Sequence, residues 1–148
     1  MGEKVTFTVP GEPQGKGRPR ATIRAGHAAT YTPEKTRTYE GVIAVAAQNA
    51  MAGRPLFAGA CAVDMDILCL VPASWSQKKR AQALTGILYP TKKPDVDNVE
   101  KAVFDAMNGV VWRDDVQVVD VVKRKRYAET PGVRVAVIEI SGQPDGAR

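Results

Sequence analysis

Asp95 and Asp97, and Asp114 and Asp115 beyond an Asn108-Gly109 turn, fall within one 21-residue stretch of a chain whose net charge is +5. Local acid in a basic protein is what Mg²⁺-dependent cutting of a polyanion demands. The metal takes hard oxygen ligands, and the substrate approaches only where positive charge surrounds them. Asp95 and Asp97 stand two residues apart behind Pro94, where two carboxylates can converge on one ion, and Asp115 enters at the mouth of a strand. Three carboxylates held close repel one another unless a cation compensates them. Mg²⁺ there would orient a water, lower its pKa and neutralise charge on a scissile phosphate. Lys101, four residues after Asp97, suits the negative charge of a transition state or leaving oxygen.

A plainer reading uses the same residues. Asp97 with Glu100 three positions on resembles a capping box, worth about 0.5–2 kcal/mol, and Asp114-Asp115 suits a turn. Spacing alone leaves both readings open, including one in which Asp97 shares its oxygens between cap and metal. Other chemistries drop out. A calcium-binding loop counted from Asp95 would need Gly at its sixth position and Glu at its twelfth, and Glu100 and Ala106 stand there. His27 is the single histidine, which removes histidine-based triads and leaves a zinc site short of ligands. Gly11 to Gly15 is one residue short for a phosphate loop, and neither Ser nor Thr follows Lys16. Cys61 and Cys69, eight residues apart in one alternating segment, would lie roughly 26 Å apart in a strand and are expected unbridged.

The positive charge is clustered. Lys16, Arg18, Arg20 and Arg24 crowd a Gly- and Pro-rich stretch, Lys78-Lys79-Arg80 follow later, Lys92 and Lys93 abut the acids, and Lys123 to Arg126 form a run. If that run is a strand, Lys123 and Lys125 face one side and Arg124 and Arg126 the other. Lys16, Arg18, Arg20, Lys92, Lys93, Lys123 and Lys125 are the candidate nucleic-acid contacts.

The elements that must position these groups read as a single small α/β domain, a mixed sheet packed with two to three helices, over residues 1–140. Residues 141–148 have the composition of a loose tail. Strands are expected at Lys4–Val9, Cys61–Val71, Val116–Tyr127 and Val133–Ile140, from period-two alternation. Asp64 and Asp66 read as a solvated strand face. Helices are expected from Pro33-Glu34 to about Met51, over Trp75–Leu84 with Ser74 as cap, and from about Asn98 to Met107. In the last, Val99, Ala102, Val103, Ala106 and Met107 give the clearest helical period in the chain. Pro10 to Pro33 reads as a long loop. No apolar run reaches the roughly 18 residues that would span a membrane, and the first residues lack an apolar signal segment.

Lys93-Pro-Asp-Val-Asp-Asn-Val-Glu-Lys101, then Asp105-Ala-Met-Asn-Gly109, then Asp114-Asp115-Val-Gln117, resembles the RusA family of Holliday junction resolvases, as does the early Gly15-Lys-Gly-Arg-Pro-Arg20. The resemblance runs from the first strand to Ile140. It implies a small α/β homodimer that uses Mg²⁺ to nick opposing strands of a four-way DNA junction in recombination and repair. By motif position, Asp95, Asp97 and Asp115 would be the metal-binding catalytic acids and Lys101 the catalytic lysine. Asp114 stays an alternative to Asp115, and the number of metal ions stays open. A cytoplasmic protein of a bacterium or its phage is implied as well. Two other functions compete: a DNA-binding module without catalysis, and a small metal-dependent nucleotide or RNA hydrolase, for which so wide a basic surface is excessive.

Overall fold

Alternating apolar residues build the sheet, and two amphipathic helices cover it. The computed structural model describes residues 2–17, 20–31 and 33–140, so Arg18 and the segment 141–148 lie outside it. The chain runs β1 (Lys4–Pro10), β2 (Arg20–Arg24), β3 (His27–Tyr31), α1 (Glu34–Met51), β4 (Cys61–Leu70), α2 (Gln77–Leu84), α3 (Val96–Met107), a 3-10 turn (Asp115–Gln117), β5 (Val118–Ala128) and β6 (Gly132–Glu139). The main sheet has the order β1-β6-β4-β5. β6 pairs antiparallel with both β1 and β4, whereas β4 and β5 are parallel. Parallel neighbours need a long crossover. Here α2 and α3 supply it, so the strand pairing itself requires the helix that carries the acids.

One sheet face is dry. Val5, Phe7 and Val9, Val63, Met65 and Ile67, and Val133, Val135 and Val137 are buried there. Tyr39, Ile43, Ala47 and Met51 of α1 and the five-residue apolar stripe of α3 close over them. Each buried Val, Ile, Phe or Met among them contributes about 1.5–3 kcal/mol relative to leaving it exposed. On the opposite face the Arg124 guanidinium forks onto Asp64 and Asp66 at 2.6–3.0 Å. Its hydrogen bonds hold the Asp64 carboxyl below the usual carboxylate range. Arg124 therefore faces away from Lys123 and Lys125, as strand alternation requires.

Four boundaries differ from those expected. The stretch from Pro10 to Pro33 contains the hairpin β2–β3, whose strands pair with each other across Ala25-Gly26. Both turn residues have positive φ, 50° and 80°, the mirror-image turn that suits a two-residue hairpin. Asn-Gly normally signals that turn, and Ala-Gly conceals it. α2 begins two residues later than expected, and Ser76 rather than Ser74 caps it by accepting from the Lys79 N–H. Trp75 is left outside that helix, its ring edge-on to Tyr127 at 5.3 Å with the Lys79 ammonium 4.1 Å above it. α3 begins at Val96, and a 3-10 turn precedes β5. The cysteines are free, and burial pushes the Cys61 thiol up to about 11.

Candidate active site

α3 starts where the loop behind it is pinned. The Lys125 ammonium donates to the carbonyls of Lys92 (2.7 Å) and Pro94 (3.0 Å), fixing the segment that leads into Asp95. Asp95 then occupies the N-cap position with extended backbone, φ −71° and ψ 148°, yet its side chain makes no capping hydrogen bond. Asp97 is the second helical residue. Both side chains are exposed. Among the described residues, no hydrogen bond or ion pair engages either carboxylate. The capping role considered for Asp97 belongs by position to Asp95, and neither side chain performs it.

The second pair of acids is divided differently. Asp114 caps the 3-10 turn: its Oδ1 accepts from the Val116 N–H at 3.2 Å, and Gln117 Oε1 accepts from the Asp114 N–H at 3.2 Å. Asp115 is half-buried, and its Oδ2 accepts from Asn108 Nδ2 at 3.4 Å, the long end of hydrogen bonding. Gln117 ties the turn down with every group it has. Oε1 also accepts from the Arg113 N–H (3.0 Å), while Nε2 donates to the carbonyls of Phe57 (2.7 Å) and Gly59 (3.1 Å). The buried Glu139 carboxylate holds the same corner from the other side through the Ala58 and Gly59 N–H groups, both at 2.9 Å. The Asp114-x-x-Gln117 spacing is a capping-box signal, but nothing local marks the long-range bonds from Gln117 Nε2 to Phe57 and Gly59.

Distance along α3 is decisive. A rise of about 1.5 Å per residue puts Asn108 about 16 Å from Asp97 along the helix axis. β5 runs back along α3, with Lys125 at Pro94 and Lys123 Nζ 3.0 Å from Glu100 Oε1. Asp115, just before β5, is thus at the far end. Among the described residues no three His, Cys, Asp or Glu side chains gather closely enough to hold a metal ion. The expected convergence of Asp95, Asp97 and Asp115 within one chain is corrected by the intervening helix. Asp95 and Asp97 nevertheless fit a hard divalent cation in kind, being exposed, unengaged carboxylates. Mg²⁺ usually takes one or two carboxylates and completes its octahedron with water and substrate phosphate.

The lysines separate into two groups. Lys101, Lys92 and Lys93 are exposed, and among the described residues none is in an ion pair. Lys92 and Lys93 border a cleft floored by Pro13, Leu70, Pro90 and Tyr127, directly before Asp95. The remaining three have internal partners. Lys16 Nζ lies 2.5 Å from Glu40 Oε2 and 3.1 Å from Asp105 Oδ2, and its backbone N–H donates to the Asn98 carbonyl. Burial alone would lower its pKa, but the hydrogen bonds its ammonium donates to Glu40 and Asp105 outweigh it and raise the value. Lys16 thus clamps the N-terminal loop to α1 and α3. Lys123 pairs with Glu100, and Lys125 holds the loop before Asp95. Arg20 opens the hairpin.

A family model described as "Endodeoxyribonuclease RusA" matches residues 10–138. A protein of Bacillus subtilis (strain 168), described as "Uncharacterized protein YqaN", is 40% identical over 141 residues, covering 93% of this chain and 97% of its own length.

Proposed function

Because the chain belongs to the RusA endodeoxyribonuclease family, we propose that it is a divalent-metal-dependent endonuclease that resolves four-way DNA junctions by paired, symmetric nicks. The observation that carries the reading is the pair of uncommitted carboxylates, Asp95 and Asp97. Neighbouring acids are occupied: Asp105 by Lys16, Glu100 by Lys123, Asp114 by its own turn. Two side chains left free at the head of a pinned helix serve no structural purpose that the fold displays.

Mg²⁺ held by Asp95 and Asp97 would neutralise charge at the scissile phosphate and lower the pKa of an attacking water. The chain's own residues do the rest. Lys101 follows Asp97 by one helical turn, on the same side of α3, so its ammonium can meet the charge of the leaving oxygen. Lys92 and Lys93 draw the backbone of the strand to be cut toward that end. Lys125 keeps the Asp95 loop in position, so its contribution to DNA is indirect.

Two copies are part of the proposal. A four-way junction is approximately two-fold symmetric, and paired nicks need two symmetry-related sites. The separation along α3 supplies a further reason. Copies that lay α3 against α3 antiparallel across a two-fold axis would bring the partner's Asp115 toward Asp95 and Asp97. We further assign the protein to recombination and repair in the cytoplasm of a bacterium or phage-infected cell. Among the described residues no helix is long and apolar enough to cross a membrane.

The test is incubation of labelled four-way junction, duplex and single strand with Mg²⁺. Symmetric nicks confined to the junction are expected. Asp95→Asn should abolish them while leaving junction binding intact or tighter, because it removes repulsion from phosphate. Junction binding without products at any Mg²⁺ concentration would instead identify a non-catalytic DNA-binding protein, and cleavage of mononucleotides or short single strands a small hydrolase.

A further inference from the structure

Asn108 does more than end a helix. Its backbone N–H closes α3 by donating to the Phe104 carbonyl at 3.1 Å, so the side chain is free for other work. That side chain is locked from behind. Trp112 is fully buried, with its ring edge-on to Phe104 at 5.3 Å, and its indole N–H donates to Asn108 Oδ1 at 2.7 Å. An indole nitrogen can only donate. The amide oxygen must therefore face Trp112, and the amide NH₂ must point away, toward Asp115 Oδ2 at 3.4 Å. A flipped amide would orphan the buried indole N–H and set the amide oxygen against the Asp115 carboxylate, both unfavourable.

We propose that Asn108 is a positioning residue for Asp115: a buried Trp112 indole fixes the amide, and the amide holds and orients the carboxylate. The proposal rests on the reading of Asp115 as one of the metal-binding acids. Asp115 sits on a short exposed turn, where a carboxylate rotates freely unless something directs it. Gln117 anchors the backbone of that turn and Asn108 directs its side chain. Outer partners that orient a ligand in this way typically change metal affinity by about 10–100-fold when removed.

Mn²⁺ binding, followed by electron paramagnetic resonance on the intact protein without DNA, tests this apart from cleavage. Asn108→Ala should weaken binding about 10-fold or more. In an Asp115→Ala background the same change should have no further effect, since Asn108 then has nothing to orient. Asn108→Ala leaves the indole unpaired and can cost stability, so Asn108→Ala/Trp112→Phe serves as a second variant. It removes both partners and should match Asn108→Ala alone. Equal losses with and without Asp115 would overturn the proposal, because Asn108 would be acting elsewhere. So would unchanged Mn²⁺ binding in Asn108→Ala when Asp115→Ala weakens it. If Asp115→Ala itself leaves Mn²⁺ binding unchanged, the metal role of Asp115 fails and the positioning role fails with it.

Discussion

Asp97→Asn and Asp115→Asn should each be inactive alone and partly active together. Oxygens that share one Mg²⁺ bind it at about 2.0–2.1 Å and are at most about 4 Å apart. The α3 axis separates Asp97 from Asn108 by about 16 Å, and Asp and Asn side chains span only a fraction of that. A site using both acids must then take one from each copy. Co-expression of the two variants with different affinity tags gives heterodimers purified through both. Each contains one site with both changes and one site with neither, so nicking should recover to about half of the wild-type rate. Products would be junctions cut in one strand, without the paired cuts that resolve them. If instead all three acids act within one chain, every chain in the heterodimer is defective. Heterodimers no more active than either homodimeric variant would refute the reasoning.

Other outcomes follow from the same geometry. Lys93→Ala should reduce the salt dependence of junction binding by about 0.9 in log–log slope, whereas Lys16→Met should leave the slope unchanged, its ammonium being held by Glu40 and Asp105. An altered slope for Lys16→Met would return that residue to the interface. Lys16 has a raised folded-state pKa, so its contribution is fully present below pH 10.5 and lost as pH rises through the folded value. Alkaline denaturation should therefore show the wild-type advantage over Lys16→Met vanishing above that pH. Asp64 has the opposite sign. Its lowered value makes the Arg124 pairing fully effective above pH 3.8 and lost as pH falls through the folded value, so wild type and Arg124→Ala should converge in acid. Gln117→Ala strands two backbone donors and two acceptors at a partly wet corner. About 2–3 kcal/mol should be lost, a fall in Tm of about 5–10 °C by scanning calorimetry, and an unchanged Tm would show that water replaces the side chain without cost.

Period and spacing made much of the fold legible. β1, α1, β4 and β6 fall within a residue or two of where alternation and helical stripes place them, because one-sided burial imposes a period on the chain itself. The hairpin was hidden for the same reason. β3 is exposed at every residue, so no core-facing alternation marked it, and Ala25-Gly26 replaced the usual turn signal. Helix starts slipped by about two residues. Ser74 and Ser76 both qualify as caps locally, and only packing of Trp75 against Tyr127 selects the second.

At the site, residue types put Asp95, Asp97, Asp114, Asp115 and Lys101 under consideration in a basic chain and set histidine triads aside, and the family resemblance favoured Asp115 as the third acid. The tertiary structure decided their relationships. It left Asp95 and Asp97 uncommitted, gave Asp114 to a cap, and turned Lys16, Lys123 and Lys125 inward to carboxylates and carbonyls. It also set Asp115 at the other end of α3 and backed it with Asn108 and Trp112. Sequence spacing records how far apart residues are along the chain. A rigid helix converts that count into a fixed distance and direction, and here the distance is too great for one chain to gather its own carboxylates.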